Sequence, residues 1–261
     1  MIFDRDVYVL PFKDSINKEP LKNYKNSDSL INDEIIGHAL YQAHLDAART
    51  FRGFRDVFND RSAKERLKDV TCFKKFFCGE GPSSADEFDL IHEKICQDVI
   101  EAFDGRATYG QAQKIVNMAF KYLYCFADSK NQNYFNYCHM PLDSYTLEWI
   151  SRNIQVSGSK LQKAKMEPWS VLKKGNNNDG ADSNEKYSYL FYVRVIREFL
   201  QQSKEYEDWS ALQLEFKIWP EIQRELAAET FLASLGKKFD KSKSIMEKYQ
   251  AIICELSHHI R

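Results

Sequence analysis

The stretch TYGQAQKIVNMAFKYLYCF, residues 108–126, decides the fold. Ala112, Ile115, Val116, Ala119, Phe120, Tyr122, Leu123 and Phe126 recur at spacings of three and four and cover most of a helical circumference. A helix apolar on nearly every side belongs inside a core rather than on its surface. The pattern therefore predicts a central helix from about Thr108 to Phe126. Its polar residues Gln113, Asn117 and Lys121 fall in one stripe at four-residue spacing, with Lys114 beside the stripe, Ile115 alongside and Met118 and Cys125 below.

Outward from this helix the periodicity stays helical. Leu30, Ile31, Ile35, Ile36, Leu40, Ala43 and Leu45 predict a helix over Ser29–Arg52, and a second follows from Ser62 to Phe77. Gly79–Pro82 breaks that one. Ser84 or Asp86 then caps a helix to about Phe103, with Phe88, Ile91, Ile95 and Ile100 on its inner face. Asp104-Gly105-Arg106 ends it. After the central helix, Asp128–Asn136 reads as a polar loop, and Met140-Pro141-Leu142-Asp143 opens the next helix, with Asp143 as its N-cap. The pattern lapses from Val156 to Asn184. Helices resume at Glu185–Gln202, Leu212–Trp219, Glu221–Leu235 and Lys241–His259. Val7–Leu10 is read as a short N-terminal strand or an arm packed on the body. The expected fold class is all-α: a compact multi-helix body over residues 1–261, as a single domain or in two lobes.

Composition agrees. Ten glycines and six prolines in 261 residues are about half the roughly 12% of average chains, too few for a turn-dense barrel or sandwich. With 43% hydrophobic and 14% aromatic residues, general disorder is excluded. No apolar run approaches the ~18 residues of a membrane span, and Asp4, Arg5 and Asp6 argue against a signal peptide, so no membrane is expected. Cys72, Cys78, Cys96, Cys125, Cys138 and Cys254 form no CxxC pair, which points to reduced thiols in a cytoplasmic protein and no metal site. His258-His259 sits at a terminus, a poor place to preorganise ligands. The 37 basic and 38 acidic residues lack the overall basic charge usual in DNA binders. Locally, however, Arg152, Lys160, Lys163, Lys165, Lys173 and Lys174 face only Glu167 between 152 and 174. The loop-rich segment 156–184 is thus either a positive strip or a solvated loop.

Motifs for nucleotide hydrolases, dinucleotide enzymes, serine hydrolases, zincins and EF-hands are absent from the sequence. What carries chemistry is Gly110-Gln111-Ala112-Gln113-Lys114 at the head of the central helix together with Met140-Pro141-Leu142-Asp143 at the head of the next. A lysine on the shoulder of an apolar helix is partly desolvated, which makes the neutral, nucleophilic amine more available. Glu215, in the apolar run Leu212–Trp219, needs a partner, and Arg194 or Arg197 is expected to supply it.

A first-turn Gln-Lys, an apolar helix and then a Pro-x-Asp opening the next helix resembles the archaeal 8-oxoguanine DNA glycosylase branch of the helix-hairpin-helix glycosylase superfamily. The resemblance covers Gly105–Trp149, within a helix-hairpin-helix and Lys/Asp region over 84–155. It implies Lys114 as nucleophile, Asp143 as its acidic partner, no cofactor, and DNA containing a damaged or modified base as partner, in repair or in attack on an invader's modified DNA. The Asp104–Gly110 hairpin departs from the Leu-Pro-Gly-x-Gly type. If it binds DNA, the backbone N–H groups near Gly105 and Gly110 and the Arg106 side chain would hold a phosphate. Gln111, His139 and Trp169 are further candidates for contact with DNA or base; His139 alternatively contacts Asp143 or, as favoured, anchors its loop by hydrogen bonds. Trp149, Trp209, Trp219 and the Tyr187–Tyr192 cluster are other possible stacking groups. The rival readings are a non-catalytic helical module binding nucleic acid or protein and, ranked last, a carboxylate-metal nuclease.

Overall fold

A computed structural model describes residues 2–16, 21–24, 32–48, 61–68, 70–127, 129–156, 158–175 and 187–236. The expected helix at Lys241–His259, Cys254, His258-His259 and the 176–184 part of the loop lie outside the described residues. The described elements are predominantly helical: α1 (Arg5–Tyr8), α2 (Leu10–Ser15), α3 (Asp33–Ala48), α4 (Arg61–Lys68), α5 (Thr71–Phe76), α6 (Ala85–Ala102), α7 (Tyr109–Phe126), α8 (Ser144–Asn153), α9 (Tyr189–Gln202) and α10 (Ala211–Gly236). Two-residue strands β1 (Gln155–Val156) and β2 (Ser159–Lys160) pair antiparallel around Gly158. The all-α expectation is met. No helix among the described residues is long and apolar enough to cross a membrane.

The chain divides into two units, Met1–Ile218 and Trp219–Arg261. In the first, α7 is the axis. Apart from Tyr109 at its start, only Met118 along its length escapes full burial, and α3 and α6 pack along it. The aromatic centre gathers around Phe120, whose ring centroid lies 5.0 Å from Phe73, 5.2 Å from Phe76 and 5.5 Å from Phe88. Edge-to-face contacts of this kind add to the area each ring removes from water.

Several boundaries differ from expectation. Val7–Leu10 is not a strand: Asp4 caps α1 by accepting from the Asp6 and Val7 amides, and α2 follows with Pro11 in its first turn. The Ser62–Phe77 helix is two helices, α4 and α5, meeting around Val70. Residues 129–135, read as part of a loop, form 3-10 turns. The inner face of α6 is rotated: Phe88, Asp89, His92, Ile95, Cys96 and Val99 are buried, whereas Ile91 and Ile100 are half-exposed. Hydrophobicity alone could not place Asp89 and His92 inward. Finally, Leu212–Trp219 and Glu221–Leu235 form one helix through Pro220. Proline removes one backbone bond and crowds the preceding turn, at about 3 kcal/mol, but the helix formers Gln223 to Ala228 that follow carry the helix on.

Truncating Phe120 to alanine empties the aromatic centre. Phe120→Ala is expected to lower unfolding stability by about 3–5 kcal/mol, read by chemical denaturation; a loss below about 1 kcal/mol would show that α7 is not the packing axis.

Candidate active site at the heads of two helices

The first turn of α7 is fixed by its own sequence. Thr108 Oγ1 accepts from the Gln111 amide at 3.1 Å while Gln111 Oε1 accepts from the Thr108 amide at 2.9 Å, a reciprocal capping box. Across this turn lies a 3-10 turn, Trp169–Val171. Thr108 Oγ1 donates to the Ser170 carbonyl at 2.5 Å, and the Gly110 N–H donates to the Leu172 carbonyl at 3.0 Å. A Cβ at position 110 would stand 2.0 Å from the Trp169 carbonyl oxygen. Only glycine lets the two backbones come this close.

The head of α8 is built the same way. Asp143 Oδ1 accepts from the Tyr145 and Thr146 amides at 2.9 and 3.0 Å, and Thr146 Oγ1 accepts from the Asp143 amide at 2.8 Å. This N-cap leaves Asp143 Oδ2 turned to α7, where it meets Lys114 Nζ at 2.5 Å. Both side chains are 11% exposed. The indole of Trp169 completes the surroundings, its centroid 5.9 Å from the Lys114 ammonium, a cation–π distance. A half-dry amine, a carboxylate and an aromatic plane thus come from three separate segments. Chemically the set can hold a proton between amine and carboxylate, stabilise positive charge and offer a flat ring to a flat ligand.

The stripe Gln113–Asn117–Lys121 points inward and every member is paired. Gln113 Nε2 donates to the Gly110 and Leu142 carbonyls, and Gln113 Oε1 accepts from the Leu142 amide and from Asn117. Asn117 also meets His92 Nε2, the Tyr189 hydroxyl and the Met140 carbonyl. From Tyr189 the network runs to His139 Nδ1 at 2.6 Å, from His139 Nε2 to Asp89 at 2.7 Å, and from Asp89 to the Arg197 guanidinium through two bonds of 2.8 and 2.6 Å. Burial alone would push the Asp89 carboxyl up, yet its bonds to Arg197 and His139 outweigh burial and hold it far below the carboxylate range. Burial keeps both histidines less basic than usual.

Several expected contacts are corrected. The Gly110 N–H is taken by Leu172, so it does not offer itself to a phosphate in this conformation. Gln111 is a buried capping residue. His139 lies in the interior network, anchoring its loop rather than touching Asp143. Gly105, at φ +72°, and Arg106 are exposed on the hairpin, with Arg106 bound to Asp104. Of the tryptophans, Trp149 packs on Phe199 and Trp209 on Phe3 and Tyr8, in the core; Trp169 is the one beside Lys114. Glu215 does not pair with Arg194 or Arg197 but with Lys121 at 2.5 Å, in near-complete burial, and desolvation holds its carboxyl above the usual range. The basic strip is partly neutralised, since Glu148 binds Arg152 and Lys163 and Glu93 binds Lys174. Sequence reasoning missed Asp89 and His92, and gave Tyr189 and Arg197 other roles than the network they join. The signal available was a pair of polar residues, Asp89 and His92, on the face occupied by Phe88 and Ile95.

Gly110→Ala drives a methyl into the Trp169 carbonyl. It is expected to lower stability by about 1–3 kcal/mol and to expose the 168–172 segment to protease; an unchanged Tm with unchanged cleavage would contradict the contact. Stability should also fall on acidification. His92 and His139 titrate below 6.5 in the folded chain, so between that value and their folded pKa the unfolded state binds more protons, and folding loses ground as pH drops. Asp89 adds to the loss below 3.8; Glu215, raised above 4.5, acts oppositely as pH climbs through that window. In Glu215→Gln, which removes the opposing group, a Tm that stays level from neutrality to about pH 5 would rule out the neutral buried histidines.

Neither a protein-family model, nor a curated protein, nor a solved structure matches this chain.

Proposed function

We propose that this chain is a DNA glycosylase with lyase activity, acting on DNA that contains a damaged or modified base. The observation that carries the reading is the contact of Lys114 Nζ with Asp143 Oδ2, 2.5 Å apart at the heads of consecutive helices and largely screened from water. The proton of the ammonium passes to Asp143, and the freed amine attacks C1′ of the deoxyribose. The bond between C1′ and the base nitrogen breaks, and the base departs with that electron pair and takes up the proton held by Asp143. Asp143 then carries one proton from the alkylated nitrogen to O4′, the C1′–O4′ bond breaks with its electron pair going to that oxygen, and the nitrogen lone pair closes an iminium between Lys114 and C1′. Loss of a C2′ proton then expels the 3′ phosphate, cutting the strand by β-elimination. Having given its proton to the base, Asp143 is again a carboxylate and faces the positive charge on the sugar. The base must leave the stack, and Trp169 is the aromatic plane nearest the amine. Access to Lys114 requires the 168–172 segment to move aside.

A second reading is favoured by one observation: Asp143 also caps α8, so the pair serves as a strut between helix heads in a non-catalytic nucleic-acid- or protein-binding module. Borohydride trapping with a panel of lesion-bearing oligonucleotides separates the two. The glycosylase reading expects a covalent adduct with the wild-type chain and none with Lys114→Ala, while Asp143→Asn lowers the rate by about 10²–10⁴-fold. Absence of any adduct across the panel, or trapping by Lys114→Ala at the wild-type rate, overturns it and leaves the strut.

A further inference from the structure

The geometry points to Gln113 as the positioning residue that sets Asp143 against Lys114. It stands one residue before Lys114 and is fully buried, and its amide grips the Leu142 peptide from both sides: Nε2 donates to the Leu142 carbonyl at 3.0 Å, and Oε1 accepts from the Leu142 N–H at 3.3 Å. This reproduces the paired bonds of an antiparallel ladder with a side chain in place of a strand. The residue so held is the one before Asp143. Asn117, one turn further along α7, holds the Met140 carbonyl at 3.3 Å and buttresses Gln113 Oε1 at 3.0 Å. Residues 140–142 are thereby fixed to the same two turns of α7 that carry Lys114. The N-cap bonds of Asp143 orient its carboxylate within α8, but they do not determine where α8 begins relative to α7. Gln113 does. A helix interior ordinarily tolerates leucine or methionine at such a buried position; an amide is needed because the partner is backbone, whose N–H and C=O cannot be left unpaired in the interior.

For its chemistry this inference rests on the glycosylase reading; for its geometry it does not, and the test uses that difference. The full chain is reductively methylated with formaldehyde and a mild borohydride, and the labelling rates of Lys114 and Lys121 are compared by peptide mass spectrometry. Lys121 is the internal control: it lies on the same helix, buried, with its own carboxylate Glu215. In Gln113→Met, which keeps the length and loses the amide, Lys114 is expected to label at least about fivefold faster, the equivalent of one ordinary hydrogen bond, with Lys121 unchanged. Gln113→Glu keeps the shape and the acceptor but loses both donors, and should behave alike if the methionine variant does not fold. Parallel acceleration of both lysines would mean that Gln113 supports the fold as a whole, and no change at either would mean that it holds nothing; each overturns the proposal. Single-turnover trapping then reads the reaction: at saturating lesion oligonucleotide the rate should fall about tenfold or more while half-saturation stays put, as for a group acting on the chemical step. If the wild-type chain traps no oligonucleotide yet Lys114 alone is released in the variant, the glycosylase reading fails and the positioning role stands.

Discussion

A polar side chain carried into a core must find its partner there, and α7 carries Gln113, Lys114, Asn117 and Lys121 in with it. An unpaired amide in the interior costs about 1–3 kcal/mol and an unpaired charge considerably more. That constraint recruits the surroundings. Gln113 and Asn117 collect the backbone of residues 140–142, Lys114 collects Asp143, and Lys121 collects Glu215 from α10. The apolar face of α7 would pack against almost any complementary helix; its polar stripe accepts only neighbours that present these groups. Packing supplies the stability and the buried polar groups supply the register.

What was legible in the sequence was what depends on near neighbours. The beginnings of α7 and α8 could be read because each capping box closes within three residues: Thr108 with Gln111, and Asp143 with Thr146. The meeting of Lys114 with Asp143 was implied by the resemblance rather than by spacing, because residues 127–143 must run back along α7 before the second head reaches the first. The network of Asp89, His92, His139, Tyr189 and Arg197 was not. Its partners stand 50 to 108 residues apart, and the local signal, Asp89 and His92 on the face of Phe88 and Ile95, names no partner. Glu215 shows the same limit. A partner was rightly required, but the arginines of the preceding helix were the wrong ones, because Arg197 is held by Asp89 and Lys121 comes from a helix far earlier in the chain.

Gly110 is a different kind of misreading. Glycine at a helix head suggests an open cradle for an anion, yet here the missing Cβ is filled by the Trp169–Leu172 backbone, and the N–H is already bonded. The local sequence signal for close approach to a phosphate and for close approach to another chain segment is the same, since both need an uncluttered Cα. Only the tertiary partner tells them apart.

Two lysines on one helix sharpen the functional argument. Lys114 and Lys121 are seven residues apart, two turns or about 10.5 Å along one face, and each meets a carboxylate at 2.5 Å. If a buried ion pair were enough to mark a reactive amine, both would qualify. Their walls differ. Lys121 lies against Phe12 and Phe216, at 4.1 and 4.8 Å from the ring centroids, with 3% of its side chain exposed; any ligand reaching it would have to part α2 from α10. Lys114 keeps 11% exposure and is covered by Trp169 on a 3-10 turn tied down through Thr108 and Gly110. Displacing one short turn costs the bonds from Thr108 and Gly110 but is a far smaller change than opening a core. Of the two amines, therefore, Lys114 is the one whose cover is a single short turn rather than two helices of the core.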